Sequence, residues 1–115
     1  MFPSIQKNIS AISAFGAKMG VHAYNIANAA TDRFKKYRAD IVELSHGSIK
    51  TDVSEVSTPG YFYYDPGIQA MRETSNVNLA EELVQTIPTS IGYKANRKMI
   101  SAQNEMLGTL LDIFE

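Results

Sequence analysis

Apolar residues recur at helical spacing at both ends of the chain. Near the start, Ile5, Ile9, Ile12, Gly16, Met19, Ala23, Ile26 and Ala30 stand alternately four and three apart, the spacing of a coiled-coil seam. Ser4 is a candidate cap for this helix. A continuous helix of about 27 residues is roughly 40 Å long at ~1.5 Å rise, more than a compact domain of this size needs, so it is expected to project. Lys7 and Lys18 are the only charged side chains between Met1 and Thr31. A surface helix ordinarily carries a charged face, so neighbours are expected to cover more than one side of this one. Gly16 and Gly20 each cost roughly 1 kcal/mol of helix propensity, which close approach of neighbouring helices would offset.

A second stripe runs Val77, Ala80, Val84, Ile87, Ile91, Ala95, Met99, Ala102, Met106, Leu110, Ile113 and keeps a 3.6-residue period. Ser75, Asn76 and Asn78 are candidate caps, and Glu81 and Glu82 suit the positive end of a helix dipole. Pro88, with Gly92 one turn later, predicts a kink or short break between Thr86 and Gly92. The predicted seam sets Ile5, Ile9, Ile12, Met19 and Ile26 against Val84, Ile87, Ile91, Met99, Met106 and Leu110.

Between the helices the period changes to two. Tyr37, Ala39 and Ile41 alternate with Arg38 and Asp40, and Ile49, Thr51 and Val53 with Lys50 and Asp52, as half-buried strands do. Ser45 to Ser48 forms the turn between them. Thr58-Pro59-Gly60 and Asp65-Pro66-Gly67 bracket the run Tyr61-Phe62-Tyr63-Tyr64. The expectation is a small hairpin or three-stranded patch. The fold class is therefore mainly α: long N- and C-terminal helices pairing as an antiparallel coiled coil, with a small β-hairpin and turn-rich middle. The zones are 1–31, 32–74 and 75–115, joined as one structural unit.

A length of 115 residues, 44% of them hydrophobic, bounds the chain to one small domain or one elongated subunit. The net charge of −1 argues against a nucleic-acid-wrapping role. There is no cysteine, which removes disulfides, Cys-ligated zinc and thiol catalysis together. No apolar run approaches the roughly 18 to 20 residues of a membrane span. The first residues lack a basic segment followed by an apolar one, so no cleaved secretory leader is expected.

A search for chemistry returns no catalytic, metal or cofactor site. His22 and His46 have no carboxylate or imidazole at metal-ligand spacing and are expected to be structural or solvated. Asp52 and Glu55 have no acid/base partner. Arg33, Lys35, Lys36 and Arg38, interleaved with Phe34 and Tyr37, are expected to be a solvated strand face or to form ion pairs between subunits. The Tyr61 to Tyr64 run is expected to make contacts on two sides, one with its own hairpin and one with a neighbour.

Two motifs resemble a known family. Asn25-Ile26-Ala27-Asn28-Ala29-Ala30-Thr31, followed by Phe34-Lys35, resembles the N-terminal signature of bacterial flagellar axial proteins, those of rod and hook. Asn76-Val77-Asn78-Leu79-Ala80-Glu81-Glu82-Leu83-Val84, then Tyr93-Lys94-Ala95-Asn96 and Glu105 to Leu111, resembles the C-terminal signature of the same family. In length the chain is similar to the short proximal rod proteins. The resemblance implies a non-enzymatic structural subunit of the basal-body rod, exported by the flagellar type III apparatus without a cleaved signal. Its partners would be itself and other rod and hook subunits, in a helical tube that crosses the periplasm and transmits torque, with no nucleic acid and no membrane insertion. Asn25, Asn28 and Asn96 would be buried polar groups that fix register. The family commonly has a second Asn at the position of Ala30 and Gly at that of Arg33, so the left-handed turn after the first helix is expected to be built differently here. A soluble helical-hairpin adaptor linked to flagellar export is the alternative reading.

Overall fold

The computed structural model describes residues 2–114. Helix α1 spans Phe2–Ala27, β1 Tyr37–Glu43, β2 Ile49–Glu55, β3 Phe62–Asp65, β4 Ala70–Glu73 and helix α2 Leu79–Phe114, with a short 3-10 turn at Ser45–Gly47 between β1 and β2. The molecule is elongated, 79 × 24 × 17 Å. Helix α1 begins at Phe2, so Ser4 lies within its first turn, where its hydroxyl accepts a hydrogen bond from Gln103 Nε2 at 3.1 Å instead of capping the helix. Of the three candidate caps for α2, Asn78 takes the role: its Oδ1 accepts from the Glu81 amide at 3.3 Å and its carbonyl from the Glu82 amide at 3.0 Å.

Helix α2 is unbroken over its 36 residues, and Pro88 lies inside it. The predicted break does not occur. Pro88 leaves the Val84 carbonyl without its helical donor. Threonine hydroxyls bond the carbonyls on either side, Thr86 to Leu83 O at 2.6 Å and Thr89 to Gln85 O at 2.8 Å. Gly92 serves a second purpose. A Cβ there would stand 2.5 Å from Phe15 Cζ, so the missing side chain is what lets the Phe15 ring lie against the backbone of α2.

The helices run antiparallel, with Ser4 and Asn8 opposite Gln103, Phe15 opposite Gly92 and His22 opposite Glu82. The contact between them is not the predicted apolar seam. Val84, Ile87, Ile91, Met99, Met106 and Leu110 are between 44% and 63% exposed. The buried positions of α2 are Glu82, Thr89 and Gln103, all polar and a multiple of seven apart, while Asn96, Ile100 and Leu107 are half-buried. Moving two residues along a helix turns about 200° around its axis at ~3.6 residues per turn, so Val84 and Ile91 lie almost opposite the buried polar residues, whereas Leu110, seven beyond Gln103, lies on their side and is exposed where α2 runs past the start of α1. On α1, Ile5, Ile12, Met19 and Ile26 are half-buried and Ile9 is exposed, while Ala11, Ala14, His22 and Asn25 are buried. The helix is rotated by about one residue, roughly 100°, from the predicted facing.

The middle holds two separate antiparallel hairpins, β1 with β2 and β3 with β4, in place of one patch. The first has Ala39 opposite Val53 and Ile41 opposite Thr51. It is laid on α1 by the Thr51 hydroxyl, which donates to Ala14 O at 2.5 Å, and by the Ile49 amide, which donates to Ser10 Oγ at 3.2 Å. The second pairs Phe62 with Glu73 and Tyr64 with Met71. Strand β4 went unpredicted because Ala-Met-Arg-Glu has neither β-branched residues nor alternation. Arg33 sits at φ 60°, so the left-handed turn after α1 is kept with Arg in the position where the resemblance expects Gly.

Candidate assembly interface

Among the described residues the buried apolar side chains are Ala11, Ala14 and Ala39, and the largest side chain fully removed from solvent is Asn25. The fully buried inside of the molecule is thus small and largely polar; Phe15, Phe34, Ile100 and Leu107 are half-buried, and many other large apolar groups are exposed. Side chains that act as backbone hold this inside together. Asn25 Nδ2 donates to Tyr37 O at 2.7 Å, and the Tyr37 amide donates to Asn25 Oδ1 at 2.9 Å. Asn76 does the same for the loops: its Oδ1 accepts from the Lys36 amide at 2.7 Å, and its Nδ2 donates to Val56 O at 2.8 Å and Thr58 O at 2.9 Å. These two asparagines, at the end of α1 and just before α2, fix where each helix joins the sheets.

The remaining motif residues are mostly local fasteners. Asn28 Nδ2 donates to Tyr24 O at 2.9 Å, and its Oδ1 accepts from the Thr31 hydroxyl at 3.1 Å. Asn96, half-buried, donates back to Gly92 O at 2.9 Å. Of the three asparagines expected to be buried, Asn25 alone is, because the other two find their partners on the turn beneath them. The Val77 amide donates to Ser75 Oγ at 3.1 Å. Ala27, Leu79, Tyr93 and Ala95 are exposed, and Ile26 is half-buried.

The outward surface has two apolar parts. One is the α2 stripe, which the tail of the helix extends with Leu111 at 68%, Ile113 at 70% and Phe114 at 86% exposure. The other is the β3–β4 hairpin, where Tyr61, Phe62, Tyr63, Tyr64 and Met71 are all exposed. Alternate residues of a strand point to opposite faces, so both faces of this hairpin are open. A two-stranded hairpin with no packed face is marginal in water. This one is tied at its base by ion pairs: Arg72 with Asp32 and with Asp65, the latter at 2.9 Å, and Lys35 with Glu73. The Arg72 guanidinium, with the Gly67 amide, holds the Asp65 carboxyl below its ordinary range. Lys35, with the Gly60 amide, does the same for Glu73.

The basic cluster is largely spent on ion pairs inside the chain. Lys35 meets Glu73, Lys36 meets Glu81 at 3.7 Å and Arg38 meets Asp40 at 3.0 Å. His46 is exposed in the β1–β2 turn with φ 77°. His22 is buried, with Nδ1 2.7 Å from Glu82 Oε2. Sequence reasoning missed this pair because 60 residues separate its members and only the antiparallel packing joins them. No group of three or more His, Cys, Asp or Glu able to hold a metal exists among the described residues, and no helix among them is long and apolar enough to cross a membrane. What this arrangement offers chemically is apolar surface, in quantity, on a polar scaffold.

The comparisons with known proteins point the same way. Residues 68–113 match the family model described as the C-terminal region of flagellar basal body rod FlgEFG proteins. Over 54 residues, 47% of this chain, it is 46% identical to the flagellar basal-body rod protein FlgG of Buchnera aphidicola subsp. Acyrthosiphon pisum. It is 42% identical over 55 residues to that of Buchnera aphidicola subsp. Baizongia pistaciae. The chain spans 21% of the length of each of these relatives. The match covers β4 and nearly all of α2, the part carrying the buried Glu82, Thr89 and Gln103 and the exposed apolar residues. What the comparisons show is therefore a likeness of the C-terminal part of the chain, residues 68–113, to flagellar basal-body rod proteins.

Proposed function

We propose that the chain is a structural, non-enzymatic subunit of the flagellar basal-body rod, which assembles with copies of itself and with other rod and hook subunits into the axial tube that transmits torque. The observation that carries this reading is the surface of the helix pair: the buried residues of α2, Glu82, Thr89 and Gln103, are polar, and Val84, Ile87, Ile91, Met99, Met106 and Leu110 are exposed. Contiguous apolar surface of this kind is costly on a free protein and marks an interaction face. Coiled-coil packing then forms between the outward stripes of neighbouring subunits, including Ile5, Ile9, Ile12, Met19 and Ile26 of α1. A head-to-tail interface that does not close yields a filament. The subunit reaches the basal body through the flagellar type III export apparatus and works in the periplasmic rod.

The test is motility and rod formation in cells carrying Leu110→Asp or Ile12→Asp, with the secreted subunit quantified separately. Loss of rods with normal export supports the reading. Normal rods and wild-type swimming in both variants would sink it. A soluble adaptor, by contrast, predicts a monomer or dimer that stays in solution at high concentration.

A further inference from the structure

The β3–β4 hairpin presents two unlike faces. Asp65 and Arg72 lie on one, joined by their ion pair, together with Tyr63. Phe62, Tyr64 and Met71 lie on the other, 60%, 58% and 58% exposed, and the one charge they share it with, Glu73, is held by Lys35 and the Gly60 amide. From its own chain this second face receives no cover. The hairpin sits where α1 ends, its base fastened by the Arg33 amide donating to Glu73 O at 3.0 Å and by Arg72 against Asp32. Along α2, Leu110 lies about 40 Å beyond Glu82 at ~1.5 Å per residue, so the apolar tail of the same molecule cannot reach it.

We propose that the Phe62, Tyr64 and Met71 face docks on the tail of α2, around Met106, Leu110 and Ile113, of a second copy of this chain. This rests on the assembly reading given above and specifies one of its contacts. Three observations favour this occupant. The tail is poor in charge and carries one sign only: from Met99 to Phe114 only Glu105 and Asp112 are charged, and Lys94, Arg97 and Lys98 separate it from the uncharged stretch Leu83 to Tyr93. Both of those are acidic, and the exposed residue at the base of the hairpin is Arg33, of opposite sign. Covering the hairpin face removes on the order of 350 Å² on its side, given ~150 to 250 Å² for a buried aromatic and the part of these side chains still exposed. That is below the ~800 Å² per partner of a free-standing pair, which suits a contact that adds to a larger assembly. The hairpin and the tail stand at opposite ends of the molecule, so each copy gives one and receives one, and the contact repeats without closing.

The absence of cysteine makes the test direct. Two full-length single variants, Tyr64→Cys and Leu110→Cys, are mixed under oxidising conditions after assembly, with Lys50→Cys plus Leu110→Cys as the control pair. The expected result is a disulfide-linked dimer at least tenfold more abundant in the first mixture than in the control. Equal yields in the two mixtures overturn the contact. Assembly is read separately, by sedimentation and electron microscopy of the unmodified chain. Filaments without the specific cross-link overturn this inference and leave the structural-subunit reading standing. The specific cross-link without filaments keeps the contact and removes the subunit reading.

Discussion

The side chain of Asn25 makes with the backbone of Tyr37 the two hydrogen bonds a neighbouring strand residue would make, at 2.7 and 2.9 Å, from a position with no solvent exposure. It is the hinge pin between α1 and β1. Replacing it with Leu leaves the Tyr37 amide and carbonyl without partners, each costing about 1 to 3 kcal/mol when removed from water. The expected loss for Asn25→Leu is therefore roughly 2 to 6 kcal/mol, measured by urea unfolding, with amide exchange around residues 25–40 accelerated first. An unchanged midpoint would show that the clamp is dispensable.

Leu110→Asp separates folding from assembly. Leu110 is 44% exposed in the single chain, so the substitution is expected to change monomer stability by less than about 0.5 kcal/mol while abolishing polymerisation. Thermal unfolding and sedimentation on the same sample check both halves. A large loss of monomer stability would mean that Leu110 is packed within its own molecule.

The glycines of the two helices are expected to respond oppositely. Gly92→Ala drives a Cβ to within 2.5 Å of Phe15 Cζ and is expected to destabilise by about 1 to 3 kcal/mol, as overpacking does. Gly20→Ala meets nothing within 4 Å and is expected to stabilise the isolated chain by up to about 1 kcal/mol, the helix-propensity difference. Circular dichroism melts of the two variants give the comparison. Equal shifts would mean that Phe15 moves aside freely.

Acid is expected to loosen the β3–β4 hairpin before the helices. Asp65 and Glu73 have folded-state values depressed below 3.8 and 4.5 by Arg72 and Lys35. A depressed carboxyl contributes stability above its unfolded value and loses that contribution as pH falls through its folded value. Tyrosine resonances of residues 61–64, followed from pH 6 downward, are expected to shift toward unfolded positions below about pH 4. Arg72→Ala removes the Asp65 half of the effect. A hairpin signal independent of pH down to 2 in the unmodified chain would refute the assignment.

The two long helices, the β character of the middle, the first hairpin with its turn at Ser45 to Ser48, and the likeness to flagellar rod proteins were all legible in the residues. Period 3.6 and period 2 are properties of the chain itself, and the Asn25 to Thr31 and Asn76 to Val84 motifs are local strings. The facing of the helices was not legible. A hydrophobic stripe says that a helix will be covered on that side, without saying by which molecule; here Val84, Ile87 and Ile91 turn outward, and Glu82, Thr89 and Gln103 turn inward, because partners 60 to 99 residues away satisfy Glu82 and Gln103 and a carbonyl one turn back satisfies Thr89. Pro88 is tolerated because threonines at 86 and 89 bond the carbonyls around the gap, a detail that propensity does not contain. The sequence by itself thus determined which segments form helices and strands, since that depends on neighbours a few residues apart. Only the tertiary structure decided which face of each helix is inside, since hydrogen bonds across the fold compete there with apolar burial and, in a single subunit, prevail.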